Sequence, residues 1–431
     1  MDPSTRRRTR SGAARLAAAA ATGVLLVAAL PAGAASAHVG PHTLHVGPGQ
    51  QYTRIQDAVD AARSGDTIRI APGDYHEAVC VQGKGLTVRG AGAGVTNVVW
   101  PEWRTVRDLP AVPSTPCWEA QERADAEGDP DTLADDVSGL FFLDPDGPVL
   151  VGGLSTHHHP ASGIVARGAD GFRVAGTSGF AHDRYGVVAV DSTAVRITDN
   201  REVGLDRGTA RVPDSGTAGV AVVDSARADA TVSGNHVEGY DVGISLREAR
   251  GGRVTGNTLT GNCIGLLLAD DVATEVPSGG FGITGNTSTD NDRYCLQGRE
   301  VESYVSGIGV QVVDADDVTV AGNVIADNTA DLPAGVPSPT HPAAGLVLTT
   351  LPGSDAGPVE DVRVSNNYFG DNHGLLPVGT PPTGSVAVDM DVFVGDPSAL
   401  PSLPPGGGLE FQGNRCDTGL PADICGEPYP V

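Results

Sequence analysis

Two histidines stand at the same offset from the same kind of landmark. His159 lies four residues before Gly163, and His182 lies four residues before Gly186. Around them are His157, His158, Asp183, Arg184 and Tyr185. Imidazole, phenol and carboxylate are groups whose proton affinity can be tuned toward neutrality, and a guanidinium neutralises a substrate carboxylate. If the two glycines open equivalent turns of a repeat, the imidazoles fall on neighbouring coils, near one turn. His157, His159, His182, Asp183, Arg184 and Tyr185 are therefore the candidate catalytic set, suited to abstracting a sugar proton or cleaving a glycosidic bond. Imidazoles within reach of one ion would equally hold zinc or copper. Polar residues of an exposed turn would look the same in sequence.

The repeat itself is legible. Gly163 to Thr177 (GIVARGADGFRVAGT), Gly186 to Asn200 (GVVAVDSTAVRITDN), Gly243 to Asn257 (GISLREARGGRVTGN) and Gly309 to Asn323 (GVQVVDADDVTVAGN) superpose without a gap. Gly219 to Asn235 repeats the form with extra turn residues. Each segment alternates apolar and other residues over a short run, turns, and alternates again, which is the signature of strands. Self-similarity at such a period means a solenoid whose units bury their apolar faces only against one another. Alternation then sets direction. Ile164/Ala166, Val187/Ala189, Val220/Val222, Ile244/Leu246, Leu266/Leu268, Val310/Val312 and Leu346/Leu348 face inward.

The intervening positions, Val165, Val188, Ala221, Ser245, Leu267, Gln311 and Val347, face outward and are largely apolar. Something must cover them: the chain itself, a second chain, or stacked sugar rings. Arg167 and Arg247 lie on the adjoining outer column and are the candidate substrate-binding residues. At the strand ends Asp191, Asp224, Glu248, Asp270 and Asp314 form an acidic column. Two readings stand for it: oxygen ligands for a shared hard cation such as Ca2+, or residues that open turns by bonding nearby backbone N–H groups. The asparagines that close the units (Asn200, Asn235, Asn257, Asn286, Asn323, Asn367, Asn414) should stack, amide on amide.

Composition bounds the rest. The chain has 431 residues, 59 of them glycine and only 4% aromatic, as expected for coils filled by Val, Ile, Leu and Ala. The first residues read as an export signal: Arg6, Arg7, Arg8 and Arg10, an Ala/Leu/Val run, then Ala35-Ser36-Ala37 before His38. Removing residues 1–37 takes a net charge of −25 to about −29. Such a charge excludes nucleic acid as partner, because phosphate binding needs clustered Lys and Arg. After the signal is removed no segment could cross a membrane. The exposed amino terminus would then place His38, His42 and His45 close together, another arrangement that could take copper. Six cysteines in an exported chain imply three disulfides: Cys416 with Cys425, Cys263 with Cys295, and Cys80 with Cys117 by elimination.

The run YTRIQDAVDAARSGDTIRIAPGDYHEAV (52–79) followed by LTVRGAG (86–92) resembles the opening of right-handed parallel β-helix proteins of the pectate-lyase-like superfamily. The later SGN, TGN and AGN units are similar to repeats of the NosD-like carbohydrate-binding and sugar-hydrolase group. The resemblance implies an all-β, single-stranded right-handed parallel β-helix over residues 38–431, of about eleven coils. Residues 52–63 would form a short capping helix, residues 100–137 an inserted loop region, and residues 415–431 a disulfide-closed end. It also implies a secreted monomer that recognises extracellular polysaccharide, with or without lyase or hydrolase activity. The alternatives are a non-catalytic assembly module using the apolar strip as an interface, or a copper- or zinc-binding β-helix.

Overall fold

The computed structural model describes residues 40–100, 137–205, 216–270, 277–297, 303–339, 341–350, 357–378, 384–395, 406–422, 424–425 and 429–430. The export-signal reading of residues 1–37 and the insertion read from residues 100–137 fall outside these, apart from Trp100 and Val137. Pro41–Val431 is one compact unit.

Its strands stack in parallel, each pairing with the equivalent strand one coil away. Three faces result. On the first, Ile164 pairs with Val187, then Val220, Ile244, Leu266, Val310, Leu346 and Val392 in unbroken register. The second face runs from Thr43–Val46 to Glu410–Gln412. Its inward column reads Leu44, Ile68, Val88, Val151, Val174, Ile197, Val232, Val254, Ile283, Val320, Val364 and Phe411. All of these are buried, and each buried Val, Leu or Ile contributes about 1.5–3 kcal/mol. The third face has ten three- or four-residue strands among the described residues. The strand Val242–Thr255 bends from the first face onto the second.

The corners between faces are built alike. Before each closing asparagine stands a residue in the left-handed backbone region, as Gly234 (φ 65°), Gly256 (φ 65°), Gly285 (φ 63°) and Gly322 (φ 64°) show. Glycine adopts that conformation without steric cost, which is why SGN, TGN and AGN recur. The reversal aims the asparagine inward. There Nδ2 of Asn200 donates to Oδ1 of Asn235, and the pattern continues through Asn257, Asn286, Asn323, Asn367 and Asn414, every step 2.9–3.0 Å.

At the amino-terminal end, Ile55–Ala61 forms the one α-helix among the described residues and buries Ile55, Ala58 and Val59 against the core. It is shorter than the 52–63 read from sequence. Its first N–H groups find no local cap; the Glu77 carboxylate accepts from the Ile55 and Gln56 amides instead. At the other end Cys416 bonds to Cys425, and Cys263 bonds to Cys295. Cys80 is also in a disulfide; Cys117 lies outside the described residues.

The outward apolar strip of the first face is itself covered. Phe141, Val165, Val188, Ala221, Val347 and Phe393 belong to a second buried cluster, against which Val305, Leu376, Val388 and Met390 pack. These last four come from the hairpins Cys295–Gln297/Ser303–Val305 and His373–Val378/Gly384–Asp389 and from the residue after them. Most of the strip is therefore a second core among the described residues, with Leu267 partly buried at its edge.

Candidate functional site

The register places His159 and His182 together, as their spacing implies. Their rings stack with centroids 5.6 Å apart. Each follows a left-handed residue, His158 (φ 61°) and Ala181 (φ 59°), at the turn from the third face to the first. That reversal points both rings into the coil, where neither has any exposure. The Nε2 of His182 lies 3.0 Å from Oγ1 of Thr156, and Nε2 of His159 lies 3.2 Å from the Glu77 carbonyl. Burial pushes the His159 imidazole down to about 3, so it is neutral. Both rings of the candidate catalytic pair are thus enclosed within the coil rather than set on its outer surface. His157 is half-buried on the outer side, its imidazole lowered first by burial and then by His158. Asp183, Arg184 and Tyr185 are half-buried on the turn outside the rings.

The arginines and acids assigned to separate roles are instead brought together. Arg167 and Arg247 lie in one column with Val190 and Val223 between them, at the turn from the first face to the second. The next residue on successive coils is Asp191, Asp224 and Glu248. Arg247 Nη2 is 3.9 Å from Asp224 Oδ1. Burial raises the Asp224 carboxyl above its ordinary value; Arg247 and Arg167 oppose this, while Glu248 and Asp191 add to it. Asp191 is exposed, Asp224 half-buried and Glu248 fully buried.

The acidic column has a backbone cause. Asp191 (φ 45°), Asp224 (φ 49°), Glu248 (φ 50°) and Asp314 (φ 49°) all occupy the left-handed region, which aspartate tolerates better than most residues. Asp270 instead accepts from the Ser278 amide. Among the described residues the one group of three with ligand atoms close enough to share an ion is Asp241, Cys263 and Cys295, and those cysteines are bonded to each other. Of the two readings of the column Asp191, Asp224, Glu248, Asp270 and Asp314, the left-handed backbone favours turn residues over a calcium ladder. That one group of three, Asp241, Cys263 and Cys295, includes none of His157, His159 and His182.

Two features escaped the sequence reading. Asn262, Asn291, Asn328 and Asn372 form a second amide ladder at 2.9 Å per step, ending on the Asp391 carboxylate. Its signal was a second asparagine five residues after the first, as in Asn257/Asn262 and Asn323/Asn328. Glu202 was also missed. It stands two residues after Asn200, where Leu259, Ile325 and Phe369 stand after their own asparagines, and it is buried inside the coil.

A family model described as the right handed beta helix region matches residues 162–383. Among curated proteins none matches by sequence. Three solved structures show the range of similar folds. The catalytic domain of a GH87 α-1,3-glucanase in complex with nigerose is 12% identical, with 84% of this chain and 63% of that one covered and a TM-score of 0.45. XylC in complex with xylose is 11% identical, covers 86% and 75%, and has a TM-score of 0.49. The tailspike of E. coli bacteriophage HK620 with a hexasaccharide is 12% identical, covers 76% and 54%, and has a TM-score of 0.43. The chain thus spans less than two thirds of the glucanase domain and of the tailspike, and no residue or reaction is carried over from any of the three. With its parallel coils, its amide ladders and a matching family model over half its length, the chain belongs to the right-handed β-helix family.

Proposed function

We propose that this chain is a secreted β-helix that recognises extracellular polysaccharide, and hydrolyses it, at the corner formed by Arg167, Asp191, Asp224 and Arg247. The observation that carries the reading is the pairing of a half-buried carboxyl, Asp224, with an exposed one, Asp191, one coil away and between two arginines. Adjacent coils are ~4.8 Å apart, close to the ~5–5.5 Å between the two carboxyl groups of retaining glycosidases. Burial favours the protonated form of Asp224, suiting it to protonate a leaving oxygen, while Asp191 stands exposed to water. Arg167 and Arg247 hold sugar oxygens or carboxylates by directed hydrogen bonds. Secretion is supported by the two disulfides among the described residues. There, no helix is long and apolar enough to cross a membrane. A monomer is supported by the burial of the apolar strip within one chain.

The test is a panel of polyuronates, pectin, chitin and α- and β-glucans, with and without chelator. Binding to one of them is expected, unaffected by chelator. Asp224→Asn should abolish turnover, by at least a hundredfold, while leaving binding intact; Arg247→Ala should weaken binding. The hydrolysis product should retain its anomeric configuration. No binding across the panel sinks the reading, and binding without turnover in the wild type reduces it to recognition.

A further inference from the structure

The inward column of the third face is apolar for most of its length; apart from Ser288, it is interrupted where the coils Ser155–His157, Ser178–Phe180 and Arg201–Val203 stack. There it reads Thr156, Gly179, Glu202. Glu202 is 1% exposed, and its Oε2 has no hydrogen-bond partner among the described residues. It fits because the two positions beside its carboxyl in the coil below, Gly179 and Gly186, carry no side chain. A Cβ on Gly179 or on Gly186 would overlap the Glu202 carboxyl. Two glycines thus hollow out the space a buried acid occupies.

We infer that this stretch of coil interior is a proton-linked packing element, in which Glu202 and His159 hold neighbouring coils together only over a limited pH range. The groups facing Glu202 are few. Gly179 comes from Ser178–Phe180, Gly186 from Tyr185–Val190 and Val237 from His236–Glu238. His182 and Thr156 lie one coil further, bonded to each other, and both meet the space above Gly163. Gly219 lies beside Gly186 and meets Val237 and Tyr240. Burial raises the Glu202 carboxyl well above the ordinary 4.5, and among the described residues no charged group offsets it. His159 faces the Glu77 carbonyl, the Trp100 ring, Gly139, His157 and His158.

The two groups act in opposite directions. Folded Glu202 keeps a proton that the unfolded chain releases near 4.5, so its contribution is complete below that pH and is lost as pH rises. Folded His159 refuses a proton that the unfolded chain accepts near 6.5. Its contribution is complete above that pH and is lost as pH falls toward 3. The element is therefore tightest between about 4.5 and 6.5. The strand Tyr185–Val190, which packs on Glu202 through Gly186, loosens on either side of that range.

Hydrogen exchange of the full chain read by mass spectrometry tests this, comparing peptides across residues 178–203 with reference peptides across 308–325. One proton released on opening raises the local opening constant about tenfold per pH unit. That slope is expected above pH 6.5 in residues 178–203, absent in the reference peptides, and removed by Glu202→Gln. Equal slopes in both regions, or an unchanged slope in the variant, overturn the inference. If Glu202→Gln does not fold, carbon-13 titration of the glutamate carboxyls in the wild type decides. One carboxyl still protonated at pH 7 supports the element, and all ionised by pH 6 refutes it.

Discussion

At the turn from the third face to the first, the coils from Asn262 onward and the coils before Tyr240 meet the same demand with different chemistry. Both halves place one left-handed residue there and aim the next side chain inward, after Gly261 (φ 61°), Asp290 (φ 54°) and Asp327 (φ 57°) in one half and after His158, Ala181 and Gly239 (φ 77°) in the other. In the carboxy-terminal half every inward side chain is an asparagine. Its amide donates upward to the next amide and sideways to a backbone carbonyl. Both ends are closed: Oδ1 of Asn262 accepts from the Tyr240 amide, and Asp391 accepts from Asn372, Asp417 and Thr418. In the amino-terminal half the position holds His159, His182 and Tyr240, with Glu202 beside them. A neutral amide ladder satisfies buried polar groups at any pH. Ionisable groups in the same place bind the packing to proton concentration.

The comparison breaks most visibly at Asn291. Its Oδ1 accepts from the Asn262 backbone and side chain, and its Nδ2 reaches Leu259 O, Ser288 Oγ and Asn328 Oδ1. Asn291→Ala leaves several buried partners unpaired at about 1–3 kcal/mol each, so denaturant unfolding should show a loss of about 4 kcal/mol. A loss under about 1 kcal/mol would mean that water replaces the amide and that the ladder is incidental.

The coil itself was legible because its information is local. Alternation around Ile164, Val187 and Val220 fixes the inward column, and the glycine before each asparagine fixes the turn. The same local reading put His159 beside His182. Depth was not legible, because whether a turn residue points in or out depends on the sign of φ at His158 and Ala181, positions with no glycine to announce it. The acidic column was ambiguous for a different reason. Asp191, Asp224 and Glu248 share a backbone conformation, and periodicity alone does not separate that cause from shared metal binding. The burial of Val165 and Val188 depends on segments far away in sequence, which no repeat encodes.

The glycines of the amino-terminal half sharpen the contrast next. Gly179→Ala would drive a methyl group into the Glu202 carboxyl and should cost about 2–3 kcal/mol by overpacking. In a double-mutant cycle with Glu202→Ala, the pair should cost less than the sum of the singles by more than about 1 kcal/mol, since the cavity left by one admits the other. Additive losses would show that Gly179 is required by the backbone and that the space around Glu202 is not shaped for it.

The smallest effect lies where the first ladder stops. Thr177 occupies the position of Asn200 one coil lower, after Gly176 (φ 63°), and its N–H and Oγ1 both donate to Asn200 Oδ1. What threonine lacks is the second donor that each asparagine gives to a carbonyl of the preceding coil, as Asn200 gives to Val174 and Asn235 to Ile197. The equivalent acceptor beneath Thr177 is Val151 O. Thr177→Asn should therefore extend the ladder by one rung and add about 0.5–1 kcal/mol, raising the thermal midpoint by about 1–2 °C. A lowered midpoint would mean that the buried threonine methyl outweighs one more amide bond. The ladder would then end at Asn200 because packing below it favours a smaller side chain.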